Sequence, residues 1–67
     1  MRYPSFLQIY RKRAKLTQYE LAEKLGEGFN RVIVSNWETG ISTPTKEVQK
    51  EISEILGIKE KSLFPLS

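Results

Sequence analysis

The stretch from Thr17 to Gly40, TQYELAEKLGEGFNRVIVSNWETG, leaves few options for local structure. Thr17 can cap a helix over Gln18–Leu25, and Glu20, three residues on, can bond back to the cap's own N–H. Leu21, Ala22 and Leu25 then recur on one face, and Gly26 stands where a helix ends in a left-handed turn. Asn30 can cap a second helix that carries Val34 and Trp37 on its inner side and stops at Gly40. Helices this short depend on packing for their stability, so the rest of the chain must cover their apolar faces. The outer face of the second helix is left as the place to look for function.

The flanking segments read as that cover. Pro4 and Ser5 open a first helix, with Ser5 as N-cap and Gln8 as its reciprocal partner. Phe6, Leu7, Ile9, Tyr10 and Ala14 supply its apolar residues, and Leu16 is a buried link into the next helix. Arg11, Lys12, Arg13 and Lys15 load its C-terminal half with cations. That run suits the helix dipole on a solvated face, with phosphate contact as the alternative reading. After Gly40, Pro44 biases Thr43 away from helical angles, so ISTP is a loop. A fourth helix starts near Thr45 and runs to Leu56 with Val48, Ile52, Ile55 and Leu56 as its apolar stripe, and Gly57 stops it. Lys46, Gln49, Lys50, Glu51 and Glu54 are expected to face water. Ile58 packs back, and Glu60 to Phe64 forms a last turn whose Leu63 and Phe64 close the core before Pro65. The sequence predicts an all-α, compact five-helix bundle, with loops short enough to force steep packing between neighbours.

A chain of 67 residues supports one small core, so residues 1–67 are expected to form a single domain. Cysteine and histidine are absent, which removes disulfides, thiol nucleophiles, imidazole bases and nearly all zinc and iron ligand sets. Eight glutamates and no aspartate stand against eleven lysines and arginines, for a net charge of +3. Such an excess is compatible with a polyanionic partner without selecting one. No apolar run approaches a membrane span, and MRYPSFLQIYRKRAK lacks the uninterrupted apolar core of a signal peptide, so a cytoplasmic protein is expected. The tyrosines at 3, 10 and 19 and the phenylalanines at 6, 29 and 64 form no ladder for stacking single-stranded bases. No glutamate, lysine or tyrosine pair falls in a recognisable pocket; no enzyme, cofactor or small-molecule substrate is expected.

LTQYELAEKLG, then SNWETG, then proline, isoleucine, leucine and glycine at the family's intervals through the fourth helix, resembles the helix-turn-helix family of phage repressors and Cro, including xenobiotic-response-type regulators. The similarity runs from about Leu7 to Phe64. It implies a lambda-repressor-like fold, double-stranded DNA as partner and a homodimer on DNA, with regulation of transcription, commonly repression, as the role. Gln18 occupies the family's position for a phosphate and base-edge contact, and Arg11 matches the arginine that pairs with the glutamate after the recognition helix, here Glu38. The recognition helix, about residues 30–38, maps with Arg31, Val32, Ser35 and Asn36 toward the groove and Ile33 near its wall. Those residue types suit base reading, since arginine can fork to guanine, asparagine to adenine, and valine can meet a thymine methyl. Thr17 and Gln18, Thr39, and the fourth helix's start with Lys46 are the expected phosphate grips.

Two departures from the family pattern remain. Glu27 and Gly28 read as a two-residue insertion in the turn, which leaves open a displaced cap or a rotated recognition helix. Gln49 stands where the family has an apolar residue. Any self-association is expected at the last helix, through Leu63, Phe64 and Leu66. The exposed apolar Val32 and Ile33, together with Glu27, also allow a protein-interaction module of the same fold, an antitoxin or adaptor that does not read DNA.

Overall fold

Among the described residues, 5–65 in the computed structural model, five helices follow one another and no strand occurs. They are α1 (Leu7–Arg13), α2 (Gln18–Leu25), α3 (Arg31–Thr39), α4 (Lys46–Leu56) and α5 (Glu60–Leu63). The all-α expectation holds. α2 lies at the centre against α3 and α4, α1 packs on α3, and α5 closes against α4. Leu7, Leu21, Ala22, Leu25, Val34, Trp37, Ile52, Leu63 and Phe64 make one core to which every helix contributes.

α1 begins later than the sequence predicts. Its flanking residue is Phe6, and the Ser5 hydroxyl accepts from the Leu7 N–H at 3.4 Å, so Ser5 does not serve as the N-cap. The reason lies at the far end of the chain: the Phe6 N–H donates to the Leu63 carbonyl at 2.9 Å, which ties the entry of α1 to the end of α5. Pro4 lies outside the described residues. A seven-residue helix presents only one narrow inner face, and that face is taken by Leu7, Tyr10 and Arg11 at i, i+3 and i+4. Phe6, Ile9 and Ala14 are therefore exposed and Leu16 is half-buried, contrary to expectation. The helix ends in a Schellman turn, with the Lys15 N–H on the Lys12 carbonyl and the Leu16 N–H on the Arg11 carbonyl. Lys15, not glycine, takes the left-handed position at φ 61°.

α2 starts as expected, with both arms of the capping box in place: Glu20 N–H on Thr17 Oγ1 at 3.0 Å and Thr17 N–H on Glu20 Oε1 at 2.9 Å. Asn30 Oδ1 accepts from the Ile33 N–H at 2.9 Å and caps α3. Between them Glu27 and Gly28 lie within the turn that joins α2 to α3. Gly26 and Gly28, at φ 101° and 89°, take the chain through conformations that side chains disfavour, and Phe29 drops onto Trp37 edge-to-face at 5.9 Å. The cap is not displaced, and Val34 and Trp37 remain the buried residues of α3. Ile33 is half-buried against the core, so Val32 is left as the exposed member of the apolar pair.

Thr45 caps α4, where Ile52 is buried and Val48, Ile55 and Leu56 pack against the core. Gln49 does not face water. It is 2 % exposed, and its Nε2 donates to the Pro44 carbonyl at 2.9 Å. The loop before α4 buries that carbonyl, and a buried carbonyl requires a donor that an apolar residue cannot provide. At the other end Leu63 and Phe64 are both buried, which removes them as a surface for self-association, and Leu66 lies outside the described residues.

Candidate nucleic-acid interface

The outer side of α3 is built on a buried ion pair. Arg11 Nε bonds Glu38 Oε2, Nη2 reaches Oε1 at 3.2 Å, and Nη1 donates to the Leu16 carbonyl at 2.7 Å. The two side chains are 8 % and 4 % exposed. Gln18 joins the same carboxylate, its Nε2 donating to Glu38 Oε1 at 3.0 Å. Thus the first residue of α2 is fastened to the last turn of α3, and both are fastened to α1. The Arg11–Glu38 pairing matches expectation; the link from Gln18 goes beyond it. Its only signal in the sequence is that Gln18 opens one helix while Glu38 lies near the close of the next, and spacing alone does not show that these ends meet.

With Nε2 engaged, the Gln18 amide is oriented, which leaves its oxygen and second N–H for another partner. Gln18, Arg31, Val32 and Ser35 line one open depression of about 250 Å³. Arg31 and Val32 are exposed, the latter by 60 %, and Ser35 is half-buried. Asn36 is half-buried and stands outside this lining, with its carbonyl accepting from the Ile41 and Ser42 amides that follow α3. Thr39, at the end of α3, is exposed, but its hydroxyl donates back to the Ser35 and Asn36 carbonyls at 3.1 and 3.3 Å. Lys46 is exposed as the first residue of α4. The sequence-predicted residues thus fall into a cluster of Gln18, Arg31, Val32 and Ser35, with Thr17, Asn36, Thr39 and Lys46 outside it.

At the start of α2 the capping box uses the Thr17 and Glu20 amides, while the Gln18 and Tyr19 amides lack any carbonyl one turn back. Two N–H groups at the positive end of a helix dipole suit an anion. The Thr17 backbone bond, helped by its hydroxyl and by Lys24, holds the Glu20 carboxyl below its ordinary range, so this carboxylate stays charged beside them. Glu27 is exposed and lies away from the depression, in a separate concavity with Tyr19 and Phe29.

Among the described residues no group of acidic, histidine or cysteine side chains could hold a metal ion, and no helix is long and apolar enough to cross a membrane. The surface offers hydrogen-bond donors and acceptors, one guanidinium and one exposed methyl-bearing side chain. Residues 7–63 match the family described as helix-turn-helix. No curated protein matches the chain, nor does any solved structure.

Proposed function

Because the chain belongs to the Cro/C1-type helix-turn-helix family of DNA-binding regulators, we propose that residues 1–67 form one domain that binds double-stranded DNA sequence-specifically, with α3 in the major groove. The observation that carries this reading is the shared depression of Gln18, Arg31, Val32 and Ser35, on the side of α3 opposite Val34 and Trp37. Arg31, at the helix start, forks to a guanine edge, Val32 meets a thymine methyl, and Ser35 and Asn36 complete the reading surface. The amides at the start of α2, with Thr17 and Gln18, hold a phosphate. Thr39 and Lys46 hold others, Thr39 by turning its hydroxyl proton away from the helix carbonyls. The protein acts in the cytoplasm as a transcriptional regulator, as a homodimer on half-sites about 34–36 Å apart. It has no enzymatic activity and needs no cofactor.

Selection from randomised duplexes tests the reading. A recovered motif should be bound with affinity that falls steeply with salt, since each neutralised phosphate releases counterion. Arg31→Ala should lose about 1–3 kcal/mol and relax preference at one base pair. No enriched motif, or binding insensitive to salt, would favour a second reading, that of a protein-interaction module such as an antitoxin or adaptor. Val32, 60 % exposed, is the observation on its side.

A further inference from the structure

Two features of the chain play no part in the α3 surface: the Glu27–Gly28 insertion and the basic end of α1. The insertion helps shape an open groove of about 440 Å³. Tyr19, Ala22, Gly26 and Phe29 line it, and Glu23 and Glu27, both exposed, add two carboxylates to the lining. No lysine or arginine lines it. Tyr19 is 59 % exposed although its ring is large and mostly apolar. A DNA backbone is repelled by such a lining, and a neutral ligand makes no use of its charge.

The chain carries its own complement. Lys12 and Arg13 are exposed on the last turn of α1, and Lys15 is exposed just beyond it, where its left-handed backbone ends the helix. Arg13 already rests on the Tyr10 ring at 5.6 Å, whereas Lys12 and Lys15, three apart, are exposed. Glu23, in α2, and Glu27, in the turn after it, are both exposed on the groove. We infer that the groove docks the basic end of α1 from a second copy of this chain, with Lys12 and Lys15 against Glu23 and Glu27. Lysine stems cover apolar surface while their ammonium groups stay at its edge, which suits a lining that includes tyrosine and phenylalanine. Groove and helix end are different patches, so the contact is head-to-tail, and a pair keeps one free helix end on one copy and one free groove on the other. It differs from a two-fold dimer on DNA and does not depend on DNA binding. Exposed ion pairs make it weak and salt-sensitive.

Sedimentation of the full chain over a wide concentration range, at low and high salt, tests this. The average mass should rise with concentration at low salt and fall back at high salt. E23Q/E27Q and K12Q/K15Q should each weaken association by about two- to thirtyfold. All four side chains are exposed, and circular dichroism confirms that each variant is folded. An equimolar mixture of the two variants has one intact groove and one intact helix end, so it should recover association and stop at pairs. A wild type that stays monomeric, variants that associate as the wild type does, or a mixture that stays monomeric would each overturn the inference. So would a monomeric wild type whose Tyr19 and Phe29 resonances shift with an arginine-containing peptide, since the groove would then belong to another protein.

Discussion

Removing one partner of the Arg11–Glu38 pair should unfold much of this protein, whereas removing both should not. In Glu38→Leu the Arg11 guanidinium keeps its bond to the Leu16 carbonyl but loses its counter-charge in a site where it is 8 % exposed. In Arg11→Met the carboxylate, 4 % exposed, keeps only the Gln18 amide. An uncompensated buried charge costs about 3–5 kcal/mol. The total stability of a chain of 67 residues is about 3–10 kcal/mol, so either variant loses a third of it or more. The double variant exchanges the pair for apolar contacts, a change that ranges from neutral to about 1–4 kcal/mol stabilising. Against that stands the Leu16 carbonyl left without its donor, at about 1–3 kcal/mol. The two effects oppose each other, and the double variant should lie within about 3 kcal/mol of wild type. Urea unfolding followed by helical circular dichroism and by the fluorescence of buried Trp37 reads all four proteins. Single variants that each lose less than about 1 kcal/mol, as an exposed pair would, refute the reasoning.

Lys15 holds a left-handed conformation at φ 61°, so Lys15→Gly should stabilise the protein by about 0.5–1 kcal/mol, visible as a higher melting temperature. Gln49→Leu makes α4 more apolar yet should destabilise by about 1–3 kcal/mol, because the Pro44 carbonyl loses its donor; a rise in the urea midpoint would contradict this. The Glu20 carboxyl titrates below its ordinary 4.5, so its contribution is complete above that value and is lost as pH falls through the lower, folded one. The stability gap between wild type and Glu20→Gln should therefore narrow as pH is lowered from 4.5, and a gap constant with pH would show that the ionised carboxylate contributes nothing.

Wherever structure follows from neighbours in the chain, the sequence is a sufficient guide. The caps at Thr17, Asn30 and Thr45, the stop at Gly57, and the inward residues Leu21, Ala22, Leu25, Val34 and Trp37 all depend on local bonds and helical period. Sequence and structure part where a distant segment decides. Ser5 loses its capping place because Phe6 is tied to Leu63; Gln49 departs for a nearer reason, drawn inward by the Pro44 carbonyl five residues back, which no helical pattern reveals. Ile9 has the composition of apolar cover, yet a helix of seven residues has no second inner face for it. In the candidate interface, the outward position of Arg31 and Val32 is set by the register of α3. The place of Gln18 beside them depends instead on a carboxylate twenty residues away.

That carboxylate suggests why an ion pair occupies a position that apolar residues would fill at least as stably. Glu38 accepts from Arg11 and from Gln18, and Arg11 also holds the Leu16 carbonyl just before α2. One group of directional bonds therefore sets the start of α2 relative to the end of α3, and with it the angle at which Gln18 meets Arg31. Apolar contacts of equal stability resist separation but tolerate sliding, whereas a forked guanidinium with both oxygens engaged does not. We predict that Arg11→Met/Glu38→Leu, folded and close to wild type in stability, binds the selected duplex at least about tenfold more weakly. Its base preference should stay centred on the same motif, because Arg31, Val32 and Asn36 are unchanged. Filter binding on the wild-type site, beside a repeat selection with the double variant, separates the two effects. Undiminished affinity would mean that the pair does no more for the interface than an apolar contact, and that the geometry of α2 and α3 is set by the core alone.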